Sequence, residues 1–238
     1  MPALSHQQAR YLFQLFWLAV FSALILTGAP SQVWIGLAGA TLISTLLVKR
    51  AACSYVCPLF PLGEVLWRTG TKLFGRNLVV PFWFDFVLRS AKYLVLVWIV
   101  IKAGTELNSG PVLSVVPVIA ALLVLSLFFQ MPWCRYLCPA GALLGLTSMA
   151  SLLKIRRSPS RCVRCHKCSH RCPANLPVMQ RTTVRSPECF ACYRCVDGCP
   201  APGAPALATP GQRAVPAWMV GMVVSSVLII GMLAGMIL

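Results

Sequence analysis

Residues 162–173 read CVRCHKCSHRCP, and residues 189–200 read CFACYRCVDGCP. Both stretches, called here the first and second cysteine runs, separate four cysteines by gaps of two, two and three residues and end on a proline. Pro, Arg and Cys dominate the sequence around them, and its hydropathy is low. Residues 154–215 are therefore predicted to form a small domain of their own between apolar segments.

The cysteine spacing predicts iron–sulfur clusters in this domain. In bacterial two-cluster ferredoxins, a run with these gaps gives three thiolates to one [4Fe–4S] cube and sends its fourth cysteine to the other. Zinc sites use four ligands in two pairs rather than eight in this pattern. The predicted ligand sets are Cys162, Cys165, Cys168 and Cys199 for the first cluster, and Cys189, Cys192, Cys195 and Cys172 for the second.

The composition places the rest of the chain in a membrane. Of 238 residues, 58% are hydrophobic and 11% are charged, whereas about 25% of the residues of a soluble domain are charged. The first apolar stretch is long enough to span a bilayer and is predicted to be a retained anchor rather than a cleaved leader. The five predicted spans are residues 11–29, 33–48, 82–103, 111–131 and 218–238.

Basic residues predict the orientation of these spans. Lysine and arginine total 21 against 5 acidic residues, and they cluster at residues 49–92 and 135–213. Because basic loops stay in the cytoplasm, we expect a multi-pass protein of a bacterial inner membrane with its N-terminus and all twelve cysteines in the cytoplasm and its C-terminus in the periplasm. Stable disulfides are rare in the cytoplasm. Topology thus accounts for the net charge of +16, and no nucleic-acid partner is expected.

A repeat organises the membrane part. CSYVCP at residues 53–58 follows the second predicted span, and CRYLCP at residues 134–139 follows the fourth, 81 residues later. Two hairpins of one orientation, each ending in such a C-x3-C-P box, form a parallel repeat. Three roles stay open for the box thiols: a third cluster or other metal site, redox-active thiol pairs, or small structural side chains. These thiols belong to Cys53, Cys57, Cys134 and Cys138.

The predicted fold is an α-helical membrane protein with about five transmembrane helices. Two parallel-repeat hairpins and a C-terminal span are joined by an inserted cytoplasmic domain like a two-cluster bacterial ferredoxin. The predicted boundaries are 1–153 for the membrane domain, 154–215 for the ferredoxin-like domain and 216–238 for the last helix.

The sequence contains less information about other cofactors and about substrates. The three histidines, at positions 6, 166 and 170, lie outside the predicted spans, so membrane-embedded heme is not expected. A quinol donor would need an apolar slot and a group that accepts protons. Glu64, Asp85 and Arg89 are weak candidates for such a site, although Asp85 and Arg89 are four residues apart and could simply pair with each other.

With two C-x3-C-P boxes followed by two cysteine runs, the chain resembles the membrane ferredoxin-type proteins of the NapH/MauN type, a polyferredoxin family with NosR and CcoG relatives. The resemblance implies an electron-transfer subunit of a quinol dehydrogenase. Such a subunit would oxidise quinol from the membrane pool and relay electrons through two [4Fe–4S] clusters to a partner, such as a periplasmic reductase or dehydrogenase. The alternative is a CcoG-like assembly or maturation factor that reduces a metal or thiol for a respiratory enzyme; the span after the clusters is the feature that CcoG shares.

Overall fold

The computed structural model describes residues 5–75, 82–105, 112–211 and 213–237. Contacts divide the chain into two units. The first unit comprises the described residues of Met1–Pro58 and Leu144–Leu238, and the second comprises those of Leu59–Leu143. The two cysteine runs therefore lie in one unit with the first box and with both ends of the chain.

Two helices open the first unit. Helix α1 (His6–Leu26) begins at a capping box, in which the Ser5 hydroxyl accepts a hydrogen bond from the Gln8 amide and the Gln8 side chain accepts one from the Ser5 amide. The reciprocal bonds satisfy two amides that would otherwise lack partners at a helix start. Gly28, at φ +64°, turns the chain after α1, and α2 (Ser31–Leu47) follows.

The C-terminal helix α10 (Ala217–Ile237) packs against both α1 and α2. The Trp17 indole of α1 donates a hydrogen bond to the Ser225 hydroxyl of α10, 3.0 Å away in the buried interface. A buried indole N–H needs such a partner. The last helix of the chain thus packs together with its first two helices.

Glycines allow α2 and α10 to approach closely. A Cβ atom on Gly231 would lie 2.6 Å from the carbonyl oxygen of Gly36, and one on Gly235 would lie 2.5 Å from that of Gln32. Real Cβ atoms do not come so near a backbone oxygen. The pair Gly231 and Gly235 is a small-xxx-small motif, which is typical of helices that pack backbone to backbone in membranes.

Two described helices, α1 and α10, are long and apolar enough to cross a membrane, and α2 is a shorter apolar helix. Their surfaces carry exposed large apolar side chains, among them Leu15, Leu18, Ile230 and Leu233. Such surfaces face lipid in membrane proteins, and this chain is a membrane protein. The count of five spans is not confirmed: α5 (Phe82–Thr105) carries Asp85 in its first turn, and α6 (Val112–Leu125) ends before residue 131, where the predicted span ended.

The second unit also contains α4 (Leu59–Phe74) and the π-helical turn Trp133–Leu137, and α7 (Pro139–Ser148) begins in it. Helix α4 approaches the backbone at Leu127, and a Cβ on Gly70 would lie 2.6 Å from the Leu127 carbonyl carbon. A side chain at position 70 would therefore separate these two segments.

The ferredoxin-like region lies between α7 and α10. Strands β1 (Lys154–Arg157) and β2 (Pro205–Ala208) pair antiparallel, with Ile155 opposite Leu207. Both of these side chains are buried. The pair of strands brings together the two ends of the region that contains the cysteine runs.

The remaining helices are short. Helix α3 (Ala51–Tyr55) contains the start of the first box, while α8 (Lys167–His170) and α9 (Arg194–Asp197) each contain the third cysteine of a run. A 3-10 turn, Val178–Gln180, lies between the two runs. The inserted-domain arrangement and the domain boundaries drawn from the sequence stay predictions.

Candidate iron–sulfur centres

The two cysteine runs have the same backbone. Non-glycine residues adopt positive φ at matching positions, Arg164 and His166 in the first run (53° and 59°) and Ala191 and Tyr193 in the second (50° and 58°). Each such residue is strained by about 1 kcal/mol or more. Left-handed residues at alternate positions form backbone nests whose N–H groups bind anions, including Fe–S clusters. The left-handed residues repeated in both runs thus fit an anionic cluster bound by the backbone N–H groups of each run.

One cavity brings four cysteines together. Cys189, Cys192 and Cys195 of the second run line it together with Cys172, the last cysteine of the first run. This is the set that the sequence assigns to the second cluster. Apolar side chains supply most of the remaining lining; they belong to Ile155, Leu176, Val178, Val184 and Phe190.

Burial in this cavity disfavours the ionised form of the cysteine thiols unless a positive charge compensates it. It raises the pKa of Cys172 to about 12, and neighbouring cysteine thiolates act in the same direction. Burial likewise raises the pKa of Cys189, and it raises the pKa of Cys195 well above its usual value. Iron bound to the thiols would supply the positive charge that lets all four ionise together. The donor set and its surroundings therefore fit a [4Fe–4S] cluster.

The cysteines assigned to the first cluster are more open. Cys165 is exposed, Cys162 is half-buried, and Cys168 is buried. Burial raises the pKa of Cys168, hydrogen bonds from Ser169 oppose this effect, and the charge of nearby Cys199 adds to it. Cys168 and Cys199 thus lie close enough to interact.

All twelve cysteines lie in the described part of the chain, and none forms a disulfide there. Within that part, no three His, Cys, Asp or Glu side chains converge tightly enough to hold a single metal ion. A cube needs a different arrangement, because its four thiolates bind four different irons and stay apart from one another. The ligand sets themselves stay predictions.

The second run is attached directly to α1 and to the first box. The Gln7 side-chain amide donates to the Cys192 carbonyl oxygen at 3.0 Å and to the Asp197 carboxylate at 2.9 Å. The Ser54 hydroxyl donates to the Phe190 carbonyl oxygen at 2.8 Å. These bonds hold the second run against the helices of the first unit.

Two buried cations reinforce this attachment. The Lys49 ammonium donates to the carbonyl oxygens of Arg185 and Ser186 at 3.1 and 3.2 Å. Burial lowers the pKa of Lys49, and the charge of Cys189 counteracts that shift. The Arg50 guanidinium pairs with Glu188 at 3.1 Å. The positions of these basic residues in the sequence predict membrane topology, but nothing in the local sequence indicates that their side chains turn inward to the second run.

The C-x3-C-P boxes fall in different units. Cys53 and Cys57 belong to the first unit, and the first box begins on α3. Cys134 and Cys138 belong to the second unit, where the Gly141 amide donates to the Cys138 sulfur at 3.3 Å. The proposal that all four thiols share one site stays a prediction.

The three weak quinol-site candidates are engaged in ion pairs within the second unit. Glu64 is buried and pairs with Arg68 at 2.5 Å. Buried Asp85 pairs with Arg89, as the spacing allowed, and it also pairs with Arg135. Tyr136 donates a further hydrogen bond to Asp85, at 2.7 Å. Asp85 therefore connects α5 to the second box, since Arg135 and Tyr136 are residues of that box. Nothing in the sequence pattern links these two residues to Asp85.

Two family models match the chain. One, described as a 4Fe-4S dicluster domain, matches residues 154–200 and so covers both cysteine runs. The other, described as a 4Fe-4S binding domain, matches twice, at residues 30–81 and 111–158. The two matches begin 81 residues apart, which is the offset between the boxes. The internal repeat is therefore confirmed as a duplicated domain, and the chain carries 4Fe–4S binding domains.

Three relatives share extended sequence similarity with the chain. The chain is 38% identical over 173 residues to the putative electron transport protein YccM of Escherichia coli K12, covering 63% of this chain and 48% of YccM. It is 30% identical over 163 residues to the ferredoxin-type protein NapH of the same organism, covering 58% of this chain and 54% of NapH. It is also 30% identical over 152 residues to the regulatory protein NosR of Pseudomonas aeruginosa, covering 56% of this chain and 21% of NosR.

The chain thus spans about half the length of YccM and NapH. No solved structure matches it. The 4Fe–4S domains and the homology to the ferredoxin-type protein NapH and to NosR support a place for this chain in a NapH-like polyferredoxin family.

Proposed function

We propose that this iron–sulfur electron transport protein oxidises quinol from the membrane and relays the electrons through two [4Fe–4S] clusters to a partner redox protein. The observation that carries the proposal is the cavity that brings Cys172 to Cys189, Cys192 and Cys195. It supports a cluster whose ligands come from both runs. The relation to YccM, named as a putative electron transport protein, supports the same class of function.

The chain's own residues would hold each cluster and set the order of the relay. Cys189, Cys192, Cys195 and Cys172 would bind the second cluster, next to α1. Cys162, Cys165, Cys168 and Cys199 would bind the first, whose exposed Cys165 leaves it open to a partner. When bound, each cluster accepts and donates one electron at a time.

The proposed orientation has the N-terminus and the clusters in the cytoplasm and the C-terminus in the periplasm. Helices α1 and α10 both begin beside the second run, because Gln7 of α1 contacts Cys192 and the Tyr193 hydroxyl donates to the Val215 carbonyl oxygen just before α10. Two spans that leave the cluster domain in the same direction support clusters on one side of the membrane and the C-terminus on the other.

The test is stopped-flow mixing of the anaerobically purified protein with a menaquinol analogue, while cluster absorbance and paramagnetic resonance are recorded. We expect quinol to bleach the cluster absorbance and to produce the signals of reduced clusters. Dithionite serves as the control reductant. Clusters that dithionite reduces but quinol leaves oxidised would refute quinol oxidation and favour the assembly-factor function.

A further inference from the structure

A groove between α1 and α10 opens next to the second cysteine run. It has a volume of about 460 Å³, within the range of about 300–1,000 Å³ that is typical of small-molecule sites. Aromatic and aliphatic side chains dominate its lining, and two serine hydroxyls add polarity. The lining residues are Ala9, Leu12, Phe13 and Phe16 of α1 with Trp218, Met222, Ser225, Ser226 and Ile229 of α10.

One end of this groove lies at the iron–sulfur domain. His6 precedes Ala9 by one helical turn on α1, and its Nδ1 accepts a hydrogen bond from the amide of Ala217, 3.5 Å away and next to Trp218. The His6 ring also packs on the Tyr193 ring, with 5.0 Å between the centroids. Tyr193 lies between two cysteines of the second run. A short chain of contacts therefore joins the groove to the predicted ligands of the second cluster.

His6 can offer a hydrogen bond at this end. Because Nδ1 accepts from the Ala217 amide, the neutral ring carries its proton on Nε2, which is a donor suited to a quinone oxygen. Gln7, the next residue, ties the same turn of α1 to Cys192 and Asp197. The distance between the groove and the second run is thereby fixed by the fold.

We infer that this groove is the quinol-binding site, with the ring of the quinol near His6 and its isoprenoid tail along the apolar lining toward Ile229. The inference rests on the proposed quinol oxidation and specifies where it occurs. An isoprenoid quinol has a polar ring and a long apolar tail; His6 lies one helical turn before Ala9 at one end of the groove, and apolar side chains line the groove beyond it. Glu64, Asp85 and Arg89 are then structural ion-pair residues.

In quinol oxidation at this site, the clusters would be the electron acceptors. Quinol loses two electrons and two protons and becomes quinone. Its two O–H bonds break, the protons pass to water on the side of the iron–sulfur domain, and two bound [4Fe–4S] clusters would accept one electron each. The role of His6 is to orient the ring through the hydrogen bond from Nε2.

Groove-filling and matched control substitutions test the site in the full-length, cluster-loaded protein in lipid nanodiscs. Met222→Trp fills the groove, whereas Met236→Trp makes the same change on α10 outside it. With a menaquinol analogue as substrate, we expect Met222→Trp to raise the KM by about tenfold or more and Met236→Trp to leave it unchanged. Dithionite should reduce the clusters of both variants as fast as those of the wild type.

A second variant tests the histidine. His6→Asn keeps an acceptor near the Ala217 amide but removes the Nε2 donor, and we expect slower quinol oxidation with unchanged dithionite reduction. Lys72→Met, at an exposed position on α4 outside the groove and both cysteine runs, is the control. Photolabelling of the wild type with an azidoquinone gives a measurement that needs no variant, and the label should attach to α1 and α10.

The outcomes separate the site from the function. If quinol reduces the wild type, Met222→Trp and His6→Asn equally well, or if the label attaches elsewhere, the groove holds lipid chains and the inferred site is wrong while quinol oxidation stands. If quinol fails to reduce the wild type although dithionite does, quinol oxidation itself is wrong, and the site with it.

Discussion

The two cysteine runs share one backbone but differ in their surroundings. Both place left-handed residues at the same positions and put the third cysteine on a single helical turn. Yet Cys189, Cys192 and Cys195 are all buried, whereas Cys165 of the first run is exposed. Cysteine spacing therefore determines the backbone conformation of each run, and packing against the rest of the first unit determines what a cluster bound there could contact.

This difference in surroundings indicates the order of the two clusters in the proposed relay. The second run contacts α1 through Gln7, the first box through Ser54, and the buried cations Lys49 and Arg50. We therefore place the second cluster next to the electron donor. The more open first cluster is then the exit to a partner.

The largest expected effect concerns the crossed ligand. Cys172→Ser lies in the first run, but we expect it to remove the second cluster and about four irons per chain, because Cys172 lines the cavity of the second run. Cys162→Ser should remove the first cluster instead. Iron analysis and paramagnetic resonance of both variants check this. Identical remaining signals would mean that each run holds a cluster of its own, which would contradict the crossed assignment.

A second prediction concerns the difference in exposure. An iron chelator added to the oxidised protein should bleach the clusters in two phases whose rates differ by about tenfold, since exposed sites react before buried ones. Cys162→Ser should lose the fast phase and Cys172→Ser the slow phase. A single phase in the wild type would show that the two clusters are equally accessible.

The smallest effect is electrostatic. Lys49→Met removes a buried cation near Cys189, and we expect it to lower the reduction potential of the second cluster by on the order of 60 mV, or about 1.4 kcal/mol for one electron. The control Lys72→Met removes an exposed cation from α4. Redox titration with paramagnetic resonance should show a shift for the second cluster only. An equal shift of both clusters would contradict the placement of Lys49.

The cluster chemistry is predictable from the sequence because short stretches of neighbouring residues encode it. The gaps between cysteines and the repeated boxes are visible in the sequence alone, and the matched 4Fe–4S domains confirm both the chemistry and the repeat. The pairing of Asp85 with Arg89 followed from their spacing of four residues and is present. These features depend on neighbours in the chain.

Contacts between distant residues were not predictable in this way. Lys49 and Arg50 looked like loop charges, but they turn toward the second run across more than 130 residues of sequence. Arg135 and Tyr136 gave no sign of binding Asp85. One sequence feature does indicate the packing of α10 on α2, namely the spacing of Gly231 and Gly235. It is hard to recognise because every residue around these two glycines is apolar or small.

We propose that the two runs hold two [4Fe–4S] clusters close together. Anaerobic purification of the full chain, with iron and acid-labile sulfide analysis and paramagnetic resonance of the dithionite-reduced protein, is the test. We expect at least about eight irons and as many sulfides per chain, with the complex signal of two interacting reduced clusters. About four irons, or zinc in place of iron, would contradict it.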